Sequence, residues 1–265
     1  MLYFVATPIG NLKDISLRAL EVLKSVDEIA CEDTRHSLGL LNAYDIKKPL
    51  FAYHKFNEKE ISERIIDKLQ SGKDIAVITD AGMPIVSDPG SVLVDKLIEN
   101  DLEFTVIPGA CAFVSALVLA GLDSSKFCFL GFMPDKSSER KVFLEKYKDL
   151  DLTLIFYSAP HDVKKDLESI YSVFGERRAV AVKEITKLHE RAERFNLSEG
   201  LPTEPKGEYV ILIGGGTKQN QNLNLTEKEH IELYIKQGMD KKDALKAVAK
   251  ERGVSKSSLY KYTID

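Results

Sequence analysis

Five short apolar runs, set apart by helical or polar stretches, fill the first 107 residues and confine the chain to a layered α/β fold. Residues 2–6, 28–32, 50–53, 74–79 and 104–107 have the length and aliphatic makeup of strands. Between them, Asp14 is placed to cap a helix bearing Leu17, Leu20 and Leu23. Asn57 and Glu60 form a capping-box pattern ahead of Ile61, Ile65 and Leu69, and Gly72 ends that helix. A further helix is expected over 91–100. Strands alternating with helices predict a mostly parallel sheet with helices packed against it.

A second series follows: an apolar helix over 113–120, an apolar segment over 127–130 and a charged helix over 138–150. Strands are expected over 152–157, 179–182 and 209–213, with a helix over 162–174. These patterns place one α/β domain at 1–115 and another at 116–215. Gly214-Gly215-Gly216 and the polar stretch to Asn224 read as a flexible linker. Beyond it, residues 226–265 form a separate basic module of three short helices, at 226–237, 241–252 and 255–262. Eight Lys or Arg stand against three Asp or Glu between Lys236 and Lys261. Gly253 sits where a helix ends and Ser255 where the next begins, the form of a helix-turn-helix. The basic excess favours nucleic-acid contact over mere packing.

The 265 residues, 44% hydrophobic and 29% charged, can build a sizeable core. A net charge of −4 does not mark a nucleic-acid binder, but local charge decides such binding. Cys31, Cys111 and Cys128 are too few and scattered for a disulfide framework and read as reduced thiols. Residues 1–6 read as a first strand, not a signal peptide. No apolar run nears the roughly 20 residues of a membrane span. The expectation is a cytoplasmic protein.

Three loops directly follow strand candidates: Thr7-Pro8-Ile9-Gly10-Asn11, the segment from Asp80 to Gly90, and Pro108-Gly109-Ala110-Cys111-Ala112. Ligands of open α/β sheets bind at the carboxyl ends of strands, and small residues let backbone approach them closely. One such loop is a tight turn; three in one sheet point to a ligand site. Dinucleotide and phosphate-loop glycine patterns are absent. Polar clusters at Glu32-Asp33-Thr34-Arg35-His36, His54-Lys55-Phe56-Asn57-Glu58 and 184–191 suggest a second ligand. No Cys pair has zinc spacing and the five histidines lie far apart, so no metal is expected.

Seven segments, in order, resemble the ribosomal RNA small subunit methyltransferase I family: residues 2–15, Arg18-Ala19-Leu20, Glu32-Asp33-Thr34-Arg35, Asp80 to Gly90, Pro108-Gly109, Gly131-Phe132-Met133-Pro134 and Thr186-Lys187. The resemblance implies the two-domain tetrapyrrole-methylase fold, with S-adenosylmethionine in the cleft between α/β domains, commonly in a homodimer. It implies 2′-O-methylation of a cytidine in the decoding region of small-subunit ribosomal RNA. Carried over by motif, it sets Pro8, Ile9, Asp80, Gly82, Met83, Ile85, Ala110, Cys111 and Ala112 against the cofactor. Tyr157, Ser158 and Ala159 join them from the second domain. Met83 stands where the family more often has threonine. Tyr157-Ser158-Ala159-Pro160-His161-Asp162 replaces Tyr-Glu-Ser-Pro-His-Arg, which removes any borrowed role for position 162.

In that chemistry the ribose oxygen attacks a methyl carbon already activated on sulfur, so no metal is needed. Alignment of oxygen, carbon and sulfur is worth about 7–11 kcal/mol. A general base adds roughly 10²–10⁴-fold. Glu32, Asp33, Glu58, Glu184 and Glu190 are candidates for that base, with Asp33 and Arg35 expected to act together. Arg35, Lys55 and Lys187 read as phosphate clamps, and Lys246, Lys250, Lys256 and Lys261 as tail contacts to RNA. Two other classes share part of this pattern. A tetrapyrrole or diphthamide-precursor methyltransferase would not need the basic tail, and a non-catalytic nucleic-acid-binding regulator would have no use for the three loops.

Overall fold

A computed structural model describes residues 1–216, 225–252 and 254–262, the side chains of Lys250 and Glu251 apart. The linker expectation for 217–224, the helix-ending role of Gly253 and the RNA contact of Lys250 lie outside the described residues.

The first sheet joins β1 (Leu2–Val5), β2 (Glu28–Cys31), β3 (Leu50–Ala52), β4 (Ile75–Ile78) and β5 (Phe104–Ile107), all parallel, in the order β3-β2-β4-β1-β5. Successive side chains of a strand point to opposite faces, so each run feeds two cores. Leu2, Phe4, Ile75 and Val77 pack with Ile65 of α3 (Glu58–Gln70) and Leu93 of α4 (Ser91–Glu99). Val5, Ala76 and Ile78 pack with Leu23 of α1 (Leu17–Ser25) and Leu41 of α2 (Thr34–Ala43) on the other face. The central strand β4 is buried throughout, as a parallel strand covered on both faces must be.

Local details depart from expectation. Ser16, not Asp14, caps α1 by accepting the Ala19 N–H at 3.1 Å; Asp14 lies in a 3₁₀ turn. Asn57 makes no capping bond to α3. Its amide instead staples the preceding turn, accepting from His54 N–H at 2.8 Å and donating to the Ala52 carbonyl at 3.1 Å. Helix α2 begins within the polar cluster at 32–36 and was not expected, because its first turn carries no apolar stripe.

The second sheet is mixed. It joins β6 (Phe127–Phe132), β7 (Thr153–Ser158), β8 (Arg178–Lys183), β9 (Arg191–Asn196) and β10 (Tyr209–Ile213), ordered β6-β7-β10-β8-β9. Only β6 and β7 run parallel. Helix α5 (Ala112–Ala120) covers one face against Ile155, Val182 and Val210. Helices α6 (Ser137–Glu145) and α7 (Val163–Phe174) cover the other against Phe156, Ala181 and Ile211. Edge strand β9 was not expected: Arg191, Glu193 and Arg194 mask its alternation.

Gly214–216 correct the linker reading. Gly214 N–H donates to the Arg178 carbonyl at 2.9 Å and Gly216 N–H to that of Leu150 at 3.1 Å. A Cβ on Gly215 would lie 2.8 Å from Leu152 N. These glycines bring the chain against the sheet; they do not release it. Beyond, α8 (Glu227–Lys236), α9 (Lys241–Arg252) and α10 (Lys256–Leu259) close around Ile231, Leu245, Val248 and Leu259. Thr226 and Glu229 form a reciprocal capping box on α8. The third helix is shorter than expected, four α residues followed by a 3₁₀ turn at Tyr260–Tyr262.

Candidate functional site

The order of the first sheet dictates where a crevice opens. From β1 the chain crosses toward β2, and from the adjacent β4 it crosses the opposite way toward β5. Such a switch point leaves a gap at the carboxyl ends of the two strands. The loops there are joined by a two-way bridge: Thr7 N–H to the Gly82 carbonyl at 2.9 Å and Gly82 N–H to that of Thr7 at 3.1 Å. The second sheet closes the gap from the other side. A Cβ on Gly10 would lie 2.5 Å from Lys187 Cγ and 2.9 Å from Thr186 Oγ1, so only glycine lets the two loops meet.

Between them lies a cavity of about 410 Å³. Nine of the residues set against a cofactor line it: Ile9, Asp80, Gly82, Met83, Cys111, Ala112, Tyr157, Ser158 and Ala159. Pro8 is buried beneath the β1 loop. Ala110 presents its carbonyl toward Gly82. Ile85 turns away, its side chain under Gly90 and against the α3–α4 core. The Ser158 hydroxyl is committed elsewhere, donating to Asp166 Oδ2 at 2.6 Å. Asp166 in turn holds the buried Arg140 at 2.5 Å, and Asp162 faces the same guanidinium at 3.6 Å. Val86, Ser87, Asp88, Phe132 and Glu208 also line the cavity. Asp88 lies in the loop after β4, but nothing in its sequence setting separates it from a turn residue.

The rim stores backbone strain. Ile85 (φ 75°), Ser87 (φ 70°), Glu184 (φ 49°) and Thr186 (φ 66°) are non-glycine residues in left-handed conformation. For the β-branched Ile85 and Thr186 this is a true outlier, and such outliers gather at functional sites.

The carboxylates differ sharply in occupation. Asp33 caps α2, accepting the Arg35 N–H at 2.7 Å, and its own N–H donates to Asp80 Oδ1 at 3.3 Å. Glu58 Oε1 accepts from Gly90 N–H at 2.8 Å and Val92 N–H at 3.3 Å at the start of α4. Glu184 accepts from Lys187 Nζ at 3.0 Å and Glu208 N–H at 3.1 Å. Glu190 accepts the Thr186 N–H at 2.7 Å. Asp33 and Glu58 are thus each held at the start of a helix by backbone N–H groups. Burial lifts Glu32 above the usual carboxylate range, and Asp80 adds to the effect. Burial, with Glu32 and Asp80 nearby, pushes Asp88 up to about 6.

Residues 1–200 match the family described as Tetrapyrrole (Corrin/Porphyrin) Methylases. The chain is 43% identical to the ribosomal RNA small subunit methyltransferase I of Haemophilus influenzae, over 99% of this chain and 95% of that one. It is 41% identical to the protein of that name from Halalkalibacterium halodurans, over 98% and 93%. The chain belongs to the ribosomal RNA small subunit methyltransferase I family. Its fold is that of the uroporphyrin-III C-methyltransferase of Thermus thermophilus, solved with S-adenosylhomocysteine: TM-score 0.58, 17% identity, covering 80% of this chain and 96% of that one.

The expected RNA contacts of this family member fall in two groups. Arg35 in the first turn of α2, after β2, and Lys55 in the loop after β3 are exposed, with no ion-pair partner among the described residues. Phe56, beside Lys55, is 95% exposed. Lys187 lines the cavity but is held by Glu184 at 3.0 Å and Glu208 at 3.1 Å. Burial pulls its ammonium down, but these carboxylates outweigh that and hold it above its usual value. It ties the segment after β8 to the one before β10. In the tail, Lys246 is exposed, Lys256 lies 5.8 Å over the Tyr260 ring and Lys261 pairs with Glu227 at 3.6 Å.

Proposed function

We propose that this chain transfers a methyl group from S-adenosylmethionine to the ribose 2′-hydroxyl of a cytidine in the decoding region of small-subunit ribosomal RNA. One observation carries the reading: Ile9, the loop from Asp80 to Asp88, Phe132 and Lys187, from family segments far apart in sequence, line one cavity at the switch point. The residues suit the cofactor. The volume falls within the roughly 300–1,000 Å³ of small-molecule sites. Gly82, Ala81, Ala112 and Ala159 leave room for a nucleoside. Asp80 adds a carboxylate to the lining, which suits a cationic sulfonium. The cofactor supplies the activated methyl group; the protein aligns it.

Arg35 and Lys55 position the RNA backbone, and Phe56 offers a face on which an unpaired base stacks. The basic module adds phosphate contacts through Lys246. Among the described residues no helix is long and apolar enough to cross a membrane, which fits a cytoplasmic site of action. A homodimer is supported by α5, which is apolar all round yet leaves Val114 and Val118 45% and 79% exposed. A helix hydrophobic on every side is normally covered.

Isolated small ribosomal subunits incubated with tritiated S-adenosylmethionine test the reading. It expects label in ribosomal RNA, recovered as 2′-O-methylcytidine. Label on a base, or none, would overturn it.

A further inference from the structure

Four carboxylates line the cavity: Asp80, Asp88, Glu184 and Glu208. Asp80 accepts from Asp33 N–H, while Glu184 and Glu208 share the Lys187 ammonium. Asp88 is different. Among the described residues its carboxylate accepts no hydrogen bond and has no ion-pair partner, yet it is half-buried in the cavity wall. Its backbone is fixed from both sides. Ser87 before it is held in left-handed conformation, and Gly90 after it is tied to Glu58 at 2.8 Å. Tyr157 of β7 lines the same cavity from the second sheet.

We infer that Asp88 is the proton acceptor for the attacking ribose hydroxyl, an inference that rests on the methyl transfer proposed above. As the 2′-oxygen forms its bond to the methyl carbon, the carbon–sulfur bond breaks and its electron pair stays on sulfur. The hydroxyl proton passes to an Asp88 carboxylate oxygen. The products are the 2′-methyl ether, the neutral thioether and protonated Asp88. A positive sulfonium and a negative carboxylate are thereby both neutralised, a change that a partly dry cavity favours over water. An acceptor also works best when its proton affinity matches the working pH. Burial, with Glu32 at the end of β2 and Asp80 at the end of β4, lifts Asp88 to about 6, so it is ionised at neutral pH yet more basic than an ordinary aspartate.

The test compares wild type, Asp88→Asn and Asp88→Glu in single-turnover transfer to small subunits across pH, at saturating S-adenosylmethionine. Wild type should gain rate about tenfold per pH unit below about 6 and level off above it. Asp88→Asn should lose that limb and at least about 10²-fold in rate. Its binding of S-adenosylhomocysteine, read by calorimetry, should not weaken. Asp88→Glu should recover the limb in part. Independently of turnover, carboxyl-labelled aspartate should show one NMR resonance titrating near 6 in wild type and missing from Asp88→Asn. Transfer by Asp88→Asn with the limb intact would overturn the inference and leave the function standing. Cofactor binding by wild type without methyl transfer to RNA would sink the function and the inference together. Should Asp88→Asn not fold, the wild-type titration and the Asp88→Glu profile decide: no resonance near 6 and no limb would overturn the inference.

Discussion

Asp33 accepts the Arg35 N–H, and Glu58 accepts those of Gly90 and Val92, so each carboxylate closes the start of a helix. Asparagine caps as well as aspartate, whereas alanine loses the acceptor. Asp33→Asn should therefore keep more than a tenth of the transfer rate and near-native stability, while Asp33→Ala costs about 0.5–2 kcal/mol by denaturant melting. Asp88 behaves oppositely. Its folded-state pKa lies above its ordinary value of 3.8, so folding favours the protonated form. Any stability from that preference is present below pH 3.8 and lost as pH rises through about 6. Asp88→Asn escapes the loss. We expect it to melt above wild type at pH 8, by about 2–4 °C for each kcal/mol relieved, with the gap closing at pH 4. An equal gap at both pH values would show that Asp88 is not strained by its charge. These roles were not legible in the residues themselves. A capping aspartate and a proton-accepting one are the same letter, and only their hydrogen-bond partners differ.

Elements fared better where burial sets the pattern. The parallel strands β1, β2 and β4 are buried along most of their length, so their sequences are largely apolar. The loops that follow them could be placed at one sheet edge. Helix α2 and strand β9 escaped notice because each lies at the surface with charged residues in its period. The glycines at 214–216 misled for a different reason: close backbone approach and flexibility need the same residue. The tail carries its own prediction. If Lys246 and its neighbours meet phosphates, removing residues 226–265 should weaken subunit binding and flatten its salt dependence. Each lost contact should lower the slope by about 0.7–0.9. An unchanged slope would make the module structural.

At the scale of the whole molecule, two sheets of opposite character meet at one cavity. The parallel sheet provides strand-end loops and the mixed sheet provides the wall of Tyr157, Ser158 and Ala159. Helix α5 covers the second sheet on one side and leaves Val118 bare on the other. Val118→Glu should therefore turn a dimer into monomers by sedimentation while sparing the fold. A wild type that sediments as a monomer would remove the dimer from the account. The central claim, that this cavity holds the cofactor, is tested most directly by calorimetric titration of S-adenosylhomocysteine without metal. Wild type should bind one equivalent per chain. Ala159→Phe, which fills the half-exposed cavity wall without entering the core, should bind at least about 10-fold more weakly, or 1.4 kcal/mol, at an unchanged melting temperature. Equal affinity in the two proteins would place the cofactor somewhere other than this cavity.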